Sequence, residues 1–326
     1  MSSFANSYFK YVNHLEQIND AALSAPERMI EEVEEAYHNN LFNIARQVVR
    51  RGKCRILMLS GPSSSGKTTT AHMLQRELAE LGEDSVIVSM DDFYLGANQA
   101  PILPDGTYDY EAVEALNVPL AKQCLSDLLL TGRCDMPVFD FHNRKPADYT
   151  RPLELKDNAV AIIEGIHALN PVFTQHLPRE RVMKLYTSVK QGIKDANGTV
   201  ISPMDLRLVR RLVRDYYFRN TSLERTFSMW SNVVAGENKY IRPYRHTSDV
   251  TVNSIHIYEP CVLRNQAIPL LRSIAPDSPW FQRARELEAR LMRFEPIDSD
   301  LVPEDSMLRE FIGQKQPVEG ETGKVS

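Results

Sequence analysis

The chain has 326 residues, 43% of them hydrophobic and 25% charged, which is enough apolar material for one large core or two modest ones and excludes disorder as its main state. Its 38 Lys and Arg against 43 Asp and Glu give a net charge of -5, so the surface as a whole does not track nucleic acid and any anion site must be local. The cysteines at 54, 124, 134 and 261 form no C-x-x-C pair, and no stretch has the apolar run of a signal peptide or a membrane helix, so a soluble, cytoplasmic protein is expected.

Residues 1–50 read as helical. Ser24 is a candidate cap, Pro26 suits a first turn, and Met29, Ile30, Val33, Tyr37, Leu41, Ile44 and Val48 recur at helical spacing. From Arg55 onward short apolar runs alternate with amphipathic stretches, the form of an α/β protein whose parallel sheet is covered by helices. The predicted strands are 56–59, 85–90, 160–163, 182–187 and 249–252, and the predicted helices are 67–81, 112–130, 204–218 and 223–240. Stretches 101–110 and 141–152 read as loops from their Pro, Gly, Asn and Asp. An apolar segment at 262–274 and a helix at 280–294 follow, and the polar tail 313–326 is expected to be mobile. The chain divides on this reading into an N-terminal helical extension (1–50), a core (51–275) and a C-terminal helical extension with its tail (276–326).

In the same order, the first strand runs into Gly61, Pro62, Ser63, Ser64, Ser65, Gly66, Lys67 and Thr68, which match G-x-x-x-x-G-K-[ST] and open a helix that continues with Thr69. Small residues there let backbone N–H groups face a nucleotide's phosphates, and the helix N-terminus adds partial positive charge. Lys67 is placed to neutralise the β and γ phosphates and Thr68 to put its hydroxyl on Mg2+. The second strand ends at Asp91 and Asp92. Ligands of an open α/β sheet bind beyond the carboxyl ends of its strands, so one of these acids can take a hydroxyl proton, and the sequence does not choose between them. The apolar run 161–163 likewise ends in an acid, Glu164, suited to Mg2+ directly or through water. Arg207, Arg210, Arg211 and Arg214 then form a cationic stripe, read as part of a lid, with a solvated basic face as the alternative. No N-K-x-D, T-K-x-D or L-S-G-G-Q is present, which disfavours guanine-nucleotide switches and transporter ATPases.

Together these residues resemble the uridine kinase branch of the phosphoribulokinase and uridine kinase family. The stretches that carry the resemblance are the phosphate loop, Asp91 to Tyr94, Tyr108-Asp109, Pro137 to Phe141 with His142-Asn143-Arg144, Ile163 to Ile166, and Arg207 to Asp215, in the family's order between residues 54 and 255. The resemblance implies a P-loop NTPase fold, ATP with Mg2+, and transfer of the γ-phosphoryl group to the 5′-hydroxyl of uridine or cytidine. It implies Asp91 as catalytic base, with Lys67 and Arg214 also at the reacting phosphates, and Thr68, Glu164 and Asp91 around the metal. It places Asp109 on ribose hydroxyls, Phe139 and His142 beside the base, and Arg211 and Arg214 in substrate and phosphate contacts. Departures fall on the acceptor side: Phe139 stands where the family usually has Tyr, the loop holding His142 is two residues short, Pro-Asp is missing after Asp109, and Asn220-Thr221 replaces Gly-Arg. A kinase of another hydroxyl acceptor, such as a pentose phosphate or pantothenate, and a nucleotide-dependent regulatory ATPase therefore stay open. Residues 307–313 resemble an ending seen in some longer bacterial nucleoside kinases, and both flanks are expected to pack on the core or between subunits of a homo-oligomer.

Overall fold

The computed structural model describes residues 12–104 and 106–315, so the expected mobile tail, 313–326, lies outside the described residues from 316 onward, as does the expected helix over 1–11. The strands of its main sheet are β2 (Ile56–Ser60), β3 (Ser85–Ser89), β6 (Val160–Glu164), β7 (Val182–Ser188) and β10 (Val250–Asn253), in the order β10-β7-β2-β6-β3 and all parallel. Every residue of β2 and β6 is buried, as a sheet covered on both faces requires. Alternation sends Leu57, Leu59 and Ile162 into one core and Ile56, Met58 and Ile163 into the other. The carboxyl ends of β2, β3 and β6 lie side by side, with Ser89 and Leu59 both level with Glu164. Sequence elements that carry the candidate chemistry therefore meet along one sheet edge.

The helices are α1 (Leu15–Ser24), α2 (Pro26–Arg51), α3 (Lys67–Glu80), α4 (Val118–Leu130), α5 (Pro203–Phe218), α6 (Leu223–Gly236), α7 (Glu259–Arg272), α8 (Phe281–Leu291) and α9 (Arg309–Ile312). The predicted apolar stripe of α2 is buried throughout, in the same cluster as β2, α5 and α7. At ~1.5 kcal/mol or more per buried side chain, the stripe carries about 10 kcal/mol, comparable with the net stability of a whole domain. The N-terminal extension is thus a structural member of the core. The same holds at the other end, where Phe294, Ile297, Val302, Met307, Leu308 and Phe311 join that cluster.

Several expectations are corrected. Stretch 141–152 is not a loop: β4 (Arg133–Asp140) and β5 (Lys145–Glu154) form an antiparallel hairpin with a bulge between Pro137 and Phe139. Most of β5 is exposed, so neither face demanded the apolar alternation that reveals a strand, and Pro146 and Pro152 masked it further. A small sheet joins β1 (Asn13–His14), β8 (Ile193–Asp195) and β9 (Gly198–Ile201), too short to show a period. The helix expected from 112 starts at Val118, where the Asn117 side chain accepts the Leu120 N–H. The helix expected to reach 240 ends at Gly236 and continues as a π turn over Glu237–Ile241. Ser24 is no cap, since its hydroxyl donates back to the Asp20 carbonyl and Pro26 itself opens α2.

Candidate active site

The phosphate loop connects β2 to α3, and two of its glycines are dictated by space. A Cβ on Gly61 would run into the Thr187 carbonyl, and Gly66 has φ of +81° with Met307 packed where its side chain would go. Three arginines of α5 then grip the loop from outside. Arg207 Nε donates to the Ser63 carbonyl at 2.9 Å, Arg210 Nη1 to the Ser64 carbonyl at 3.2 Å, and Arg211 Nη1 to the Ser63 hydroxyl at 2.7 Å. In a planar trans peptide the N–H points away from its carbonyl, so tethering these carbonyls turns the following N–H groups of Ser64 and Ser65 away from α5. The hydroxyls of Ser64 and Ser65 are buried without a protein partner, as expected of groups that await an anionic ligand.

Those arginines overturn the lid reading of the stripe, and the solvated-face alternative with it. Arg210 is fully buried, its Nε and Nη2 donating to the two oxygens of Glu259 at 2.6 and 2.7 Å, and Arg207 pairs with Glu237 at 2.8 Å. Arg214 is also buried, donating to Asp215 through Nε and Nη2. A helix held by interior ion pairs is a fixed wall, because breaking one would leave an uncompensated buried charge. The sequence showed the cations at helical spacing but not their partners, which lie 30 to 49 residues away for Glu237 and Glu259.

A cavity of about 190 Å³ opens between the loop and the ends of β3 and β6, lined by residues that include Ser63, Ser64, Ser65, Gly66, Lys67, Thr68, Asp91, Tyr94, Glu111, Glu164, Arg214, Arg219 and Glu310. Lys67 Nζ donates to the Pro62 carbonyl at 3.2 Å; burial lowers its pKa, which the carboxylates of Glu164, Asp91 and Glu310 oppose. Burial raises the pKa of Asp91 and of Glu164, and in both cases the Lys67 charge opposes it. Ser89 donates to Glu164 at 2.9 Å. Four acids face three cations in this lining, so the cavity by itself lacks the positive charge to hold a triphosphate. A divalent cation fits that deficit. Asp91 and Glu164 in that lining offer the one or two carboxylates that Mg2+ takes before completing its shell with phosphate and water.

The adjacent acids are separated by structure. Asp91 lines the cavity, whereas Asp92 turns to the hairpin and accepts the Phe139 N–H at 3.2 Å. Phe139 lies near the cavity, its ring 5.9 Å from that of Tyr94. His142 is not brought in: it is exposed in the turn between β4 and β5. Asp109 is buried outside the lining, where it accepts the Tyr240 hydroxyl at 2.7 Å and the Glu111 N–H at 3.2 Å, and Glu111 faces the cavity instead. Burial pushes the Glu111 carboxyl up to about 7, against the charges of Arg211 and Lys67. Glu111, Arg219 and Glu310 were missed from sequence. Glu111 and Arg219 stand next to recognised motifs, and Glu310 lies within the 307–313 ending, whose role the sequence did not show. A second cavity, of about 800 Å³, lies across Pro62 and is lined in part by Arg207, Arg242, Arg245 and His246.

Residues 56–259 match the Phosphoribulokinase / Uridine kinase family. Among curated proteins, a uridine kinase of Ureaplasma parvum is 24% identical over 198 residues, 60% of this chain and 86% of that protein. A uridine kinase of Saccharomyces cerevisiae is 28% identical over 205 residues, 61% of this chain and 37% of that protein. Among solved structures, a "possible uridine kinase" from Bacillus stearothermophilus superposes with a TM-score of 0.47 at 15% identity, over 65% of this chain and 97% of that one. A D-glycerate 3-kinase from Cryptococcus neoformans gives a TM-score of 0.43 at 14% identity, over 67% and 89%.

Proposed function

The chain belongs to the phosphoribulokinase and uridine kinase family, and from that membership, which makes it an ATP-dependent kinase, we propose that it phosphorylates the 5′-hydroxyl of a pyrimidine nucleoside. The observation that carries the reading is the placement of Asp91 and Lys67 in one cavity at the carboxyl ends of β3 and β2. Asp91 accepts the hydroxyl proton as the acceptor oxygen bonds to the γ-phosphorus and the bond to the β-phosphate oxygen breaks. Its burial-raised pKa suits a group that must hold that proton. Lys67 and Arg214 balance the charge that spreads over the transferring group, and residues 61–69 cradle the phosphates. Mg2+, when bound by Thr68, Asp91 and Glu164, supplies charge neutralisation at the β and γ oxygens.

The acceptor lies on the side of Tyr94, Phe139 and Glu111, with Asp109 and Arg211 bordering it, and the larger cavity across Pro62 has room for the nucleoside of ATP. Uridine as acceptor rests on the uridine kinases among the relatives. The test is a coupled ADP assay across nucleosides, pentose phosphates and pantothenate. Uridine or cytidine should drive stoichiometric ADP formation. Turnover with a non-nucleoside acceptor alone would move the specificity elsewhere in the family, and acceptor-independent hydrolysis alone would support a regulatory ATPase.

A further inference from the structure

The C-terminal segment reaches the phosphate cavity from outside the stretch that matches the family. Its anchors are plentiful. Leu308, Phe311 and Ile312 are buried in the main core, and the Phe311 ring lies 5.0 Å from the guanidinium of Arg210. Arg309 donates to the carbonyls of Ser299, Val302, Pro303 and Gly313, tying the segment to itself, while Met307 closes over Gly66. With those side chains turned inward or to neighbouring backbone, α9 presents Glu310 to the cavity.

Both oxygens of that carboxylate meet residues of the site. Oε2 accepts the Thr69 hydroxyl at 2.9 Å, and Oε1 lies 3.6 Å from Arg214 Nη1. Asp215 holds the other edge of the same guanidinium, through Nε and Nη2 at 3.0 and 2.8 Å. Arg214 is therefore framed by two acids, one from its own helix and one from the far end of the chain. The first turn of α3 is held from the N-terminal side as well, where Tyr37 of α2 hydrogen-bonds Thr70 at 2.7 Å.

We propose that Glu310 is a positioning residue of the phosphoryl-transfer site, fixing Arg214 and Thr69 at the phosphate loop from the C-terminal segment. The inference rests on the kinase reading above. Asp215 holds one edge of Arg214 and leaves Nη1 to be settled, at a cost in conformational entropy if that happens at the moment of reaction. A carboxylate that freezes it beforehand moves that cost out of the barrier. An acid beside a polyphosphate would otherwise oppose binding, so its contribution must run through the cation it holds. The bland alternative is that Glu310 only helps to fasten α9, a task that Arg309, Leu308 and Phe311 already perform.

The test is a double-mutant cycle of Glu310→Gln and Arg214→Ala in the full chain, with Glu310→Asp as the conservative variant. It is read on acceptor-dependent kcat and on the Kd of a fluorescent ATP analogue without acceptor. Glu310→Gln should lower kcat by about tenfold and weaken the analogue by about threefold, and should add little in the Arg214→Ala background, where only the Thr69 contact is left to lose. Glu310→Asp should recover part of the loss, the acceptor KM should stay within about twofold, and the melting temperature should not change. Losses that multiply, a normal kcat in Glu310→Gln, or a loss that follows a lowered melting temperature would overturn the proposal. Tighter analogue binding in Glu310→Gln would overturn it too, since the carboxylate would then act by repelling phosphate. If the wild-type protein turns over no acceptor, the kinase reading fails alone, and coupling in the analogue Kd still decides the role of Glu310.

Discussion

On the α5 side of the phosphate loop the polar groups are dry and doubly engaged, whereas on the hairpin side the rings face water. Arg210 and Glu259 are each fully buried, and Arg207, Arg210 and Arg211 together hold the backbone and a hydroxyl of Ser63 and Ser64. Across the cavity, Phe141 and Tyr149 of the hairpin are 63% and 66% exposed, and His142 stands in the turn between them. On the proposed function the difference follows from what each side would recognise. Phosphates present the same charge and shape in every turnover, so a preorganised cradle lowers the barrier each time. An acceptor side built on an exposed ribbon contributes selectivity, and its residues can diverge without disturbing the sheet. Two of the departures from the family's pattern, Phe139 and the short loop that holds His142, fall on that hairpin.

The contrast breaks first, and furthest, at Lys67. Lys67→Ala should lower kcat by about 10³ or more, because no other group at the loop replaces its charge on the transferring phosphoryl. Near-normal turnover in a coupled ADP assay would remove the loop from the chemistry. Next in size is Arg210→Ala, which leaves Glu259 buried without its cation and should cost about 3 to 5 kcal/mol of stability. A urea unfolding midpoint close to that of the wild type would mean that the α5 wall is not the rigid element described.

Asp91→Asn keeps the side-chain shape but removes the proton acceptor, so kcat should fall by about 10² with little change in ATP affinity. Asp92→Asn should lose less, since Asp92 holds the Phe139 N–H. Reversal of that order in parallel assays would reassign the base. On the proposed acceptor side, Asp109→Ala should raise the acceptor KM by about tenfold and leave the ATP KM alone. Release of Tyr240 accompanies that change, so Tyr240→Phe is the control, and an equal effect in both would trace the loss to their hydrogen bond.

A separate effect, on stability, is a pH dependence at Glu111. Its carboxyl is held at about 7 in the fold against 4.5 ordinarily, chiefly by burial. Between those values the folded protein keeps a proton that the unfolded chain has released, so stability falls as pH rises from 4.5 to about 7. Glu111→Gln should therefore melt like the wild type at pH 4.5 and higher than it at pH 8. Identical melting at both values would place the carboxylate in contact with compensating charge.

What the sequence by itself determined was everything whose physics is local. The phosphate loop needs only its own small residues, a strand before it and a helix after it, and Gly61 to Thr69 carry that in consecutive positions. Asp91 and Glu164 were legible because each ends an apolar run, and strand ends in a parallel sheet converge on one edge. The stripe of α2 was legible because burial on one face imposes a period. Tertiary structure decided the rest. Arginines 207 and 210 became a fixed wall only through acids on other elements, and only the hairpin that takes Asp92 leaves Asp91 alone of the two in the cavity. The second strand of that hairpin was hidden because most of it is exposed and no buried face imposes a pattern on it. Glu310 lies 241 residues from Thr69, and although 307–313 was legible as an ending, nothing in it could show which residues chain closure would set it against.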